Sequence, residues 1–239
     1  MSKPYVKVQD LGHIIYQEAW DLQKELVADA IAVKRANRNL PEGQQQEQNH
    51  FFLFCEHPHV YTLGRSGAIE NLLLNNQELQ NKGVEFFKIN RGGDITYHGP
   101  GQVVGYPIFD LDHFFTDIHK YVRFIEEAVI RTLAEYDING DRIKGLSGVW
   151  LKADEKGPDR KICALGIHLS RWVTQHGFAL NANTDLDFFD YIVPCGIKNK
   201  AVTSMAQELG HEVDLTEVKR KLIYHFQALF NFNIIAQEI

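Results

Sequence analysis

GVWLKADEKGPDRKICALGIHLSRWVTQHGFAL, residues 148–180, is the stretch on which the fold turns. Gly148 to Lys152 and Lys161 to Leu169 are apolar runs on either side of ADEKGPDR, whose Asp, Gly and Pro are turn formers, so they read as a strand pair. Trp172 to Leu180 continues the same sheet. Upstream, HFFLFCEH (50–57) is a buried strand with Cys55 inside it, and Phe86 to Asn90 and Gln102 to Phe109 are strands flanking a glycine-rich turn. Between 13 and 36, Ile15, Ala19, Leu22, Leu26 and Ile31 recur at helical spacing. Ile118, Val122, Ile125, Val129 and Leu133 do the same over Thr116 to Tyr136, and Leu215 to Phe230 closes the chain as a third helix. PEGQQQEQN (41–49) is a solvated loop. No regular βαβ rhythm, repeat or linker is visible. The expectation is an α/β (α+β) fold, a mixed β-sheet packed with helices, as a single domain over residues 1–239.

Composition narrows the function. With 44% apolar and 11% aromatic residues, 239 residues suffice for a substantial core. No segment reaches the ~18 apolar residues of a membrane span, and MSKPYVKVQD carries no hydrophobic signal region, so a cytoplasmic protein with no membrane partner is expected. A net charge of −6 without a basic stripe speaks against nucleic acid. Arg160, Lys161, Arg171, Lys198 and Lys200 are candidates for a local basic patch. Three cysteines, Cys55, Cys163 and Cys195, with no CxxC spacing fit neither a disulfide framework nor a zinc site.

Three segments are equipped for chemistry. RGGDITYHGPGQ (91–102) places glycine at 92, 93, 99 and 101 around Arg91, Tyr97 and His98, more than a tight hairpin needs. Such loops turn backbone N–H groups into a cavity. It is neither a dinucleotide fingerprint nor a Walker loop. In RKICALGIHL (160–169), Lys161 taken alone is a solvated strand end, and Cys163 is a buried structural thiol. HGFALNANTD (176–185) leads into IVPCGI (192–197), where Pro194 and Gly196 bend the chain around Cys195. A cation beside a thiol stabilises the reactive thiolate, but spacing leaves open whether Cys195 is a packed thiol or a nucleophile. His57 and His59 in EHPHV have HxH spacing but no third ligand nearby, so no metal is expected. Tyr97 either lines a pocket or packs in the core, and His176 precedes a candidate binding segment but is equally read as a partner of the backbone.

Together RGGDITYHGPGQVVGYPI, KICALGIHL and HGFALNANTDLDFFDYIVPCGI resemble the lipoyl(octanoyl) transferase family, with weaker similarity over most of the chain. Position 94 departs from the resemblance, with Asp where Gln is expected in many members. The resemblance implies the biotin/lipoate protein ligase catalytic-domain fold, no cofactor, and a catalytic pair at Cys195 and Lys161. It implies substrate contacts at Arg91, Gly92, Gly93, Asp94, Ile95, Thr96, Tyr97 and His98, at Ala164, Leu165 and Gly166, and at Gly177, Phe178 and Ala179. His98 would then orient Lys161 or the substrate carbonyl.

The implied reaction moves an octanoyl group from octanoyl-acyl carrier protein to a lysine of a lipoyl domain, as found in 2-oxoacid dehydrogenase E2 subunits and the glycine cleavage H protein. It would pass through a thioester on Cys195, with backbone N–H groups near Leu165 and Gly166 or in residues 91–98 as oxyanion donors. An ATP-dependent lipoate or biotin protein ligase is the nearest rival and needs no thiol at 195. A non-catalytic lipoyl-domain or carrier-binding module would lack the Cys–Lys pair, and a cysteine hydrolase would pair its thiol with a histidine.

Overall fold

The computed structural model describes residues 3–193 and 201–238. Its strands and helices run β1 (Tyr5–His13), α1 (Tyr16–Asn37), β2 (His50–Glu56), β3 (Val60–Leu63), α2 (Asn76–Asn81), β4 (Glu85–Lys88), β5 (Ile95–His98), β6 (Gln102–Ile108) and α3 (Ile118–Ala134). They continue with β7 (Asp141–Ile143), β8 (Leu146–Leu151), β9 (Arg160–Ser170), β10 (Val173–Asn181), β11 (Ala201–Val202), α4 (Met205–Leu209), α5 (Leu215–Phe230) and β12 (Asn233–Glu238).

The large sheet has the order β12-β1-β2-β6-β10-β9-β8-β7, with β11 added alongside β9. It is mixed: β1 lies parallel to both β12 and β2, while β2, β6, β10, β9, β8 and β7 pair antiparallel in turn. Every residue of β6 and of β10 is buried, as expected of central strands covered on both faces. One face carries α3 and α5. Their apolar stripes, Tyr121, Ile125, Val129 and Leu133 on α3 and Val218, Leu222, Phe226 and Phe230 on α5, meet Phe52, Phe54, Phe178 and Leu180 of the sheet. Asp117 and Asp214 start these helices by accepting backbone N–H groups of the first turn.

The opposite face carries α1, which buries Ala19, Val27 and Ala30 against Leu53, Val104 and Tyr106. Beside it stands a second sheet, β4-β3-β5, backed by a cluster of Tyr61, Leu63, Tyr97 and Phe189. β9 and β10 therefore present one face to the helical core and the other toward this small sheet. The predicted mixed sheet is present, and the predicted strands and helices fall within a few residues of the observed ones. The first helix starts at Tyr16, three residues beyond His13, because residues up to His13 belong to β1.

Candidate active site

A strip of small residues opens a slot in the sheet. Gly177 pairs with Gly166 and Ala179 with Ala164 on the neighbouring strand, so four adjacent positions carry at most a methyl group. Larger groups rise around the strip: Val104 and Tyr106 from β6, Tyr16 from the start of α1, and Trp150 from β8. The resulting cavity encloses about 1010 Å³ of empty space, its open mouth included. On β9 the lining runs from Lys161 to Gly166, five steps or roughly 16 Å of strand.

The glycine loop roofs this slot. Gly92 N–H donates to the Ile167 carbonyl at 2.9 Å, tying the loop onto β9. Gly93 turns at φ 87°, a conformation that favours glycine. The fit with β9 is close enough that a Cβ on Gly166 would lie 2.7 Å from Arg91 Cδ. Arg91 is buried and folds back, donating to the Thr62 carbonyl (2.5 Å), the Thr62 hydroxyl (3.0 Å) and the Gly92 carbonyl (3.0 Å). Asp94 accepts from Ile95 N–H (2.7 Å) and from the Asn71 side chain (2.6 Å), so its carboxylate joins the loop to the segment before α2.

Histidines in and behind the cavity are held neutral. Burial pushes His98 and His176 down to about 3 and His57 to about 4, with Arg91 adding repulsion at the first two. His98 Nδ1 faces Gln102 Oε1 at 2.8 Å and its Nε2 faces the Thr62 hydroxyl at 3.4 Å. His176 sits mid-strand at φ 61°, outside ordinary strand geometry, and its ring meets Asn90 Oδ1 at 2.8 Å while bordering the cavity.

Lys161 lines the cavity half-buried, its ammonium 4.7 Å from the centre of the Trp150 ring, within cation–π range. It is at the strand end, as its sequence context suggests, but its side chain lines the cavity and does not stand in open solvent. Cys163 is buried and burial pushes its thiol well up; Cys55 is equally buried and raised. Both are thus poor nucleophiles. Cys195 lies outside the described residues, as do Lys198 and Lys200. The chain on either side of them borders the site. Val193 N–H donates to the Asn71 carbonyl (2.8 Å), Thr203 N–H donates to the Lys161 carbonyl (2.9 Å), and Ala201 and Val202 line the cavity.

Of the residues expected at the site, Arg91, Gly93, Asp94, Ile95, Thr96, His98, Lys161, Ala164, Leu165, Gly166, Gly177, Phe178 and Ala179 all line this cavity. Gly92 and Tyr97 do not. Strand alternation turns Tyr97 away from Thr96 and His98, into the small sheet's core against Phe188 and Phe189, where its hydroxyl meets His59 at 2.7 Å. His57 instead bonds the Ile14 carbonyl and Tyr106, so the HxH pair diverges, and among the described residues no His/Cys/Asp/Glu group is placed to hold a metal. The expected basic patch also separates. Arg160 is buried between Asp154 and Glu208, and Arg171 sits at the β9–β10 turn, the far end of β9 from Lys161. Sequence reading missed Tyr16, Val104, Tyr106, Ser147 and Trp150. Strand alternation puts Val104 and Tyr106 on one face of β6, but only the register, which pairs Trp150 with Lys161, shows that these side chains wall the slot.

A mixed sheet that holds an apolar slot beneath a glycine loop, with a lysine beside it, defines an α/β domain built around an elongated, largely apolar cavity. Residues 16–227 match the family model described as Lipoyl protein ligase A/B catalytic domain, and the chain belongs to that family. It is 58% identical to the octanoyltransferase of Flavobacterium psychrophilum over 96% of this chain and 98% of that one. It is also 58% identical to the octanoyltransferase of Cytophaga hutchinsonii, over 96% of this chain and 94% of the other. Among solved structures it shares its fold with a lipoate-protein ligase A bound with ATP, at TM-score 0.66, 18% identity, and coverage of 100% of this chain and 90% of that one. A putative lipoate protein ligase from T. acidophilum with bound lipoic acid gives TM-score 0.65 at 15% identity, covering 100% and 90%.

Proposed function

We propose that this chain is an octanoyltransferase that carries an octanoyl group from the thioester of acyl carrier protein to a lysine of lipoyl domains, by way of Cys195. The observation that carries the reading is the placement of Lys161. It stands at an apolar slot, beside the chain segment that follows residues 194–200, while the other two cysteines are buried away from reaction. The similarity to octanoyltransferases supports the acyl group, and the whole chain would act as one cytoplasmic catalytic domain. Among the described residues no helix is long and apolar enough to cross a membrane.

In the first half-reaction the Cys195 thiolate attacks the octanoyl carbonyl. The carbon–sulfur bond to the carrier breaks, and Lys161 passes a proton to the departing pantetheine sulfur. In the second half, the neutral amine of the target lysine attacks the acyl-enzyme. The amide forms, the Cys195 thiolate leaves, and Lys161 recovers its proton from the attacking nitrogen. Thioester to amide is downhill, so no nucleotide is consumed. Trp150 stabilises the ammonium form of Lys161 by roughly 0.5–2 kcal/mol, depending on how fully the pair is desolvated. The small residues of β9 and β10 leave room for the chain, and Arg91, tied to Thr62 and Gly92, fixes the roof above it.

Intact-mass measurement after mixing with octanoyl carrier protein tests the reading. The expected result, without ATP, is a gain of one octanoyl group that maps to Cys195, that is lost in Cys195→Ser, and that forms at least tenfold more slowly in Lys161→Met. An adduct that persists on Cys195→Ser, or transfer that requires ATP, would refute it.

A further inference from the structure

Between the glycine loop and β9 runs an unbroken series of hydrogen bonds whose donors all point one way. Arg91 Nη2 donates to the Thr62 hydroxyl oxygen (3.0 Å), and that hydroxyl donates to His98 Nε2 (3.4 Å). His98 Nδ1–H donates to Gln102 Oε1 (2.8 Å), Gln102 Nε2 to Asn181 Oδ1 (2.9 Å), and Asn181 Nδ2 to the Thr203 carbonyl (2.9 Å). Thr203 N–H closes the series on the Lys161 carbonyl at 2.9 Å.

The direction is forced. With the Nδ1 hydrogen of neutral His98 committed to Gln102 Oε1, Nε2 can only accept, so the Thr62 hydroxyl accepts from Arg91 and donates to His98. The Thr203 carbonyl can only accept, so Asn181 must present its nitrogen there and its oxygen to Gln102. Gln102 Nε2 also donates to the Tyr97 carbonyl (3.2 Å), which fixes its oxygen toward His98. Gln102 and Asn181 are 1% and 4% exposed, so a missing donor would not be replaced by water. The series crosses β3, β5, β6 and β10 before it reaches β9, joining the small sheet to the strand that bears Lys161.

We infer that Gln102 and Asn181 are positioning residues, which set the backbone of Lys161 and the adjoining residues 201–203 in register with the glycine loop over the slot. The inference rests on the reading of Lys161 as the proton-transfer group. Its structural half, the register itself, does not.

Asn181→Asp tests it. The variant keeps the shape and the acceptor toward Gln102. When ionised it sets an oxygen against the Thr203 carbonyl, and when protonated its O–H restores the donor. The titratable groups around this position are His98 of β5 through Gln102, Lys161 of β9, Glu56 of β2 through Gly101, and Glu208 of α4, which accepts from Thr203 and pairs with Arg160. All are present in the wild-type protein, so the ratio of variant to wild-type rate isolates the new carboxyl. That ratio is expected to fall at least tenfold between pH 6 and pH 9 in kcat, with KM for octanoyl carrier protein changed less than twofold. Asn181→Leu should be slow at every pH. Hydrogen exchange at the Thr203 amide should quicken at least tenfold in Asn181→Leu, and in Asn181→Asp at pH 9. A pH-independent ratio, or Thr203 exchange unchanged in both variants, overturns the inference. Absence of octanoyl transfer by the wild-type protein counts against the proposed function instead, and Thr203 exchange then still decides the structural half.

Discussion

Four buried neutral histidines should make this protein labile in mild acid. His50, His57, His98 and His176 are 2%, 0%, 7% and 2% exposed. Burial drives His50, His98 and His176 down to about 3 and His57 to about 4. In the unfolded chain each titrates near 6.5. From about pH 6.5 down to about pH 3 the unfolded state therefore binds more protons than the folded one, and stability falls as pH falls through that window. Each such histidine costs about 2 kcal/mol at pH 5 and almost nothing at pH 7, so the four together remove roughly 7 kcal/mol. That is comparable with the whole stability of a typical domain, about 5–15 kcal/mol. Urea unfolding at pH steps from 7 to 5 should show a slope approaching 5 kcal/mol per pH unit at the acid end. His50→Asn isolates one contributor away from the cavity, because Asn Oδ1 can replace His50 Nδ1 as acceptor for Asp110 N–H, a bond of 3.2 Å. It should reduce the slope by about a quarter. A wild-type slope below about 1.4 kcal/mol per pH unit, the value for a single proton, would refute the reasoning, as would an unchanged slope in His50→Asn.

Ala179→Leu would push a branched side chain into the slot where Ala179 faces Ala164 across β9 and β10. If it displaces three or four methylenes of the acyl chain, about 3 kcal/mol of burial is lost, and octanoyl acylation measured by intact mass should slow roughly 100-fold. Shorter acyl carriers should be affected much less, and equal slowing of all lengths would argue against a chain-binding slot. Asp94→Ala removes both the Asn71 and Ile95 contacts of a half-buried carboxylate, so urea unfolding should show a loss of about 1–2 kcal/mol, while Asp94→Asn, which keeps an acceptor for Ile95, should lose less. Equal losses would mean that the backbone contact does not contribute.

How much of this was legible from the residues depended on whether a signal was local. The helix from Leu215 to Phe230 is read to the residue because Asp214 caps one end, Asn231 adopts the left-handed cap at the other, and the apolar stripe lies on one face. β1 escaped because only Val6 and Val8 of its nine residues are buried. Its pairing with β12 joins the two ends of the described chain, which no local pattern encodes. The slot's floor, ALG and GFA, was reached through the family resemblance and not through any local pattern. Its walls were not, because Tyr16, Tyr106 and Trp150 look like any core aromatic until the register places them.

The glycine loop invited two readings, a hairpin or a binding loop, and the structure explains why it had to be more than a hairpin. Gly101 turns at φ 76°, and a Cβ there would lie 2.6 Å from the Asn183 carbonyl, so the loop's exit is pressed against the end of β10. Its entrance is tied to β9 through Gly92 and Ile167. A loop anchored to both strands of the slot cannot move without changing the slot's height. His98 and Gln102 then carry that constraint toward Lys161 through Asn181. Glycines and polar side chains alternate in one motif because the same few residues must approach the sheet closely and bond across it. Substitutions that leave the glycines intact but break the polar links should therefore alter turnover more than they alter the fold.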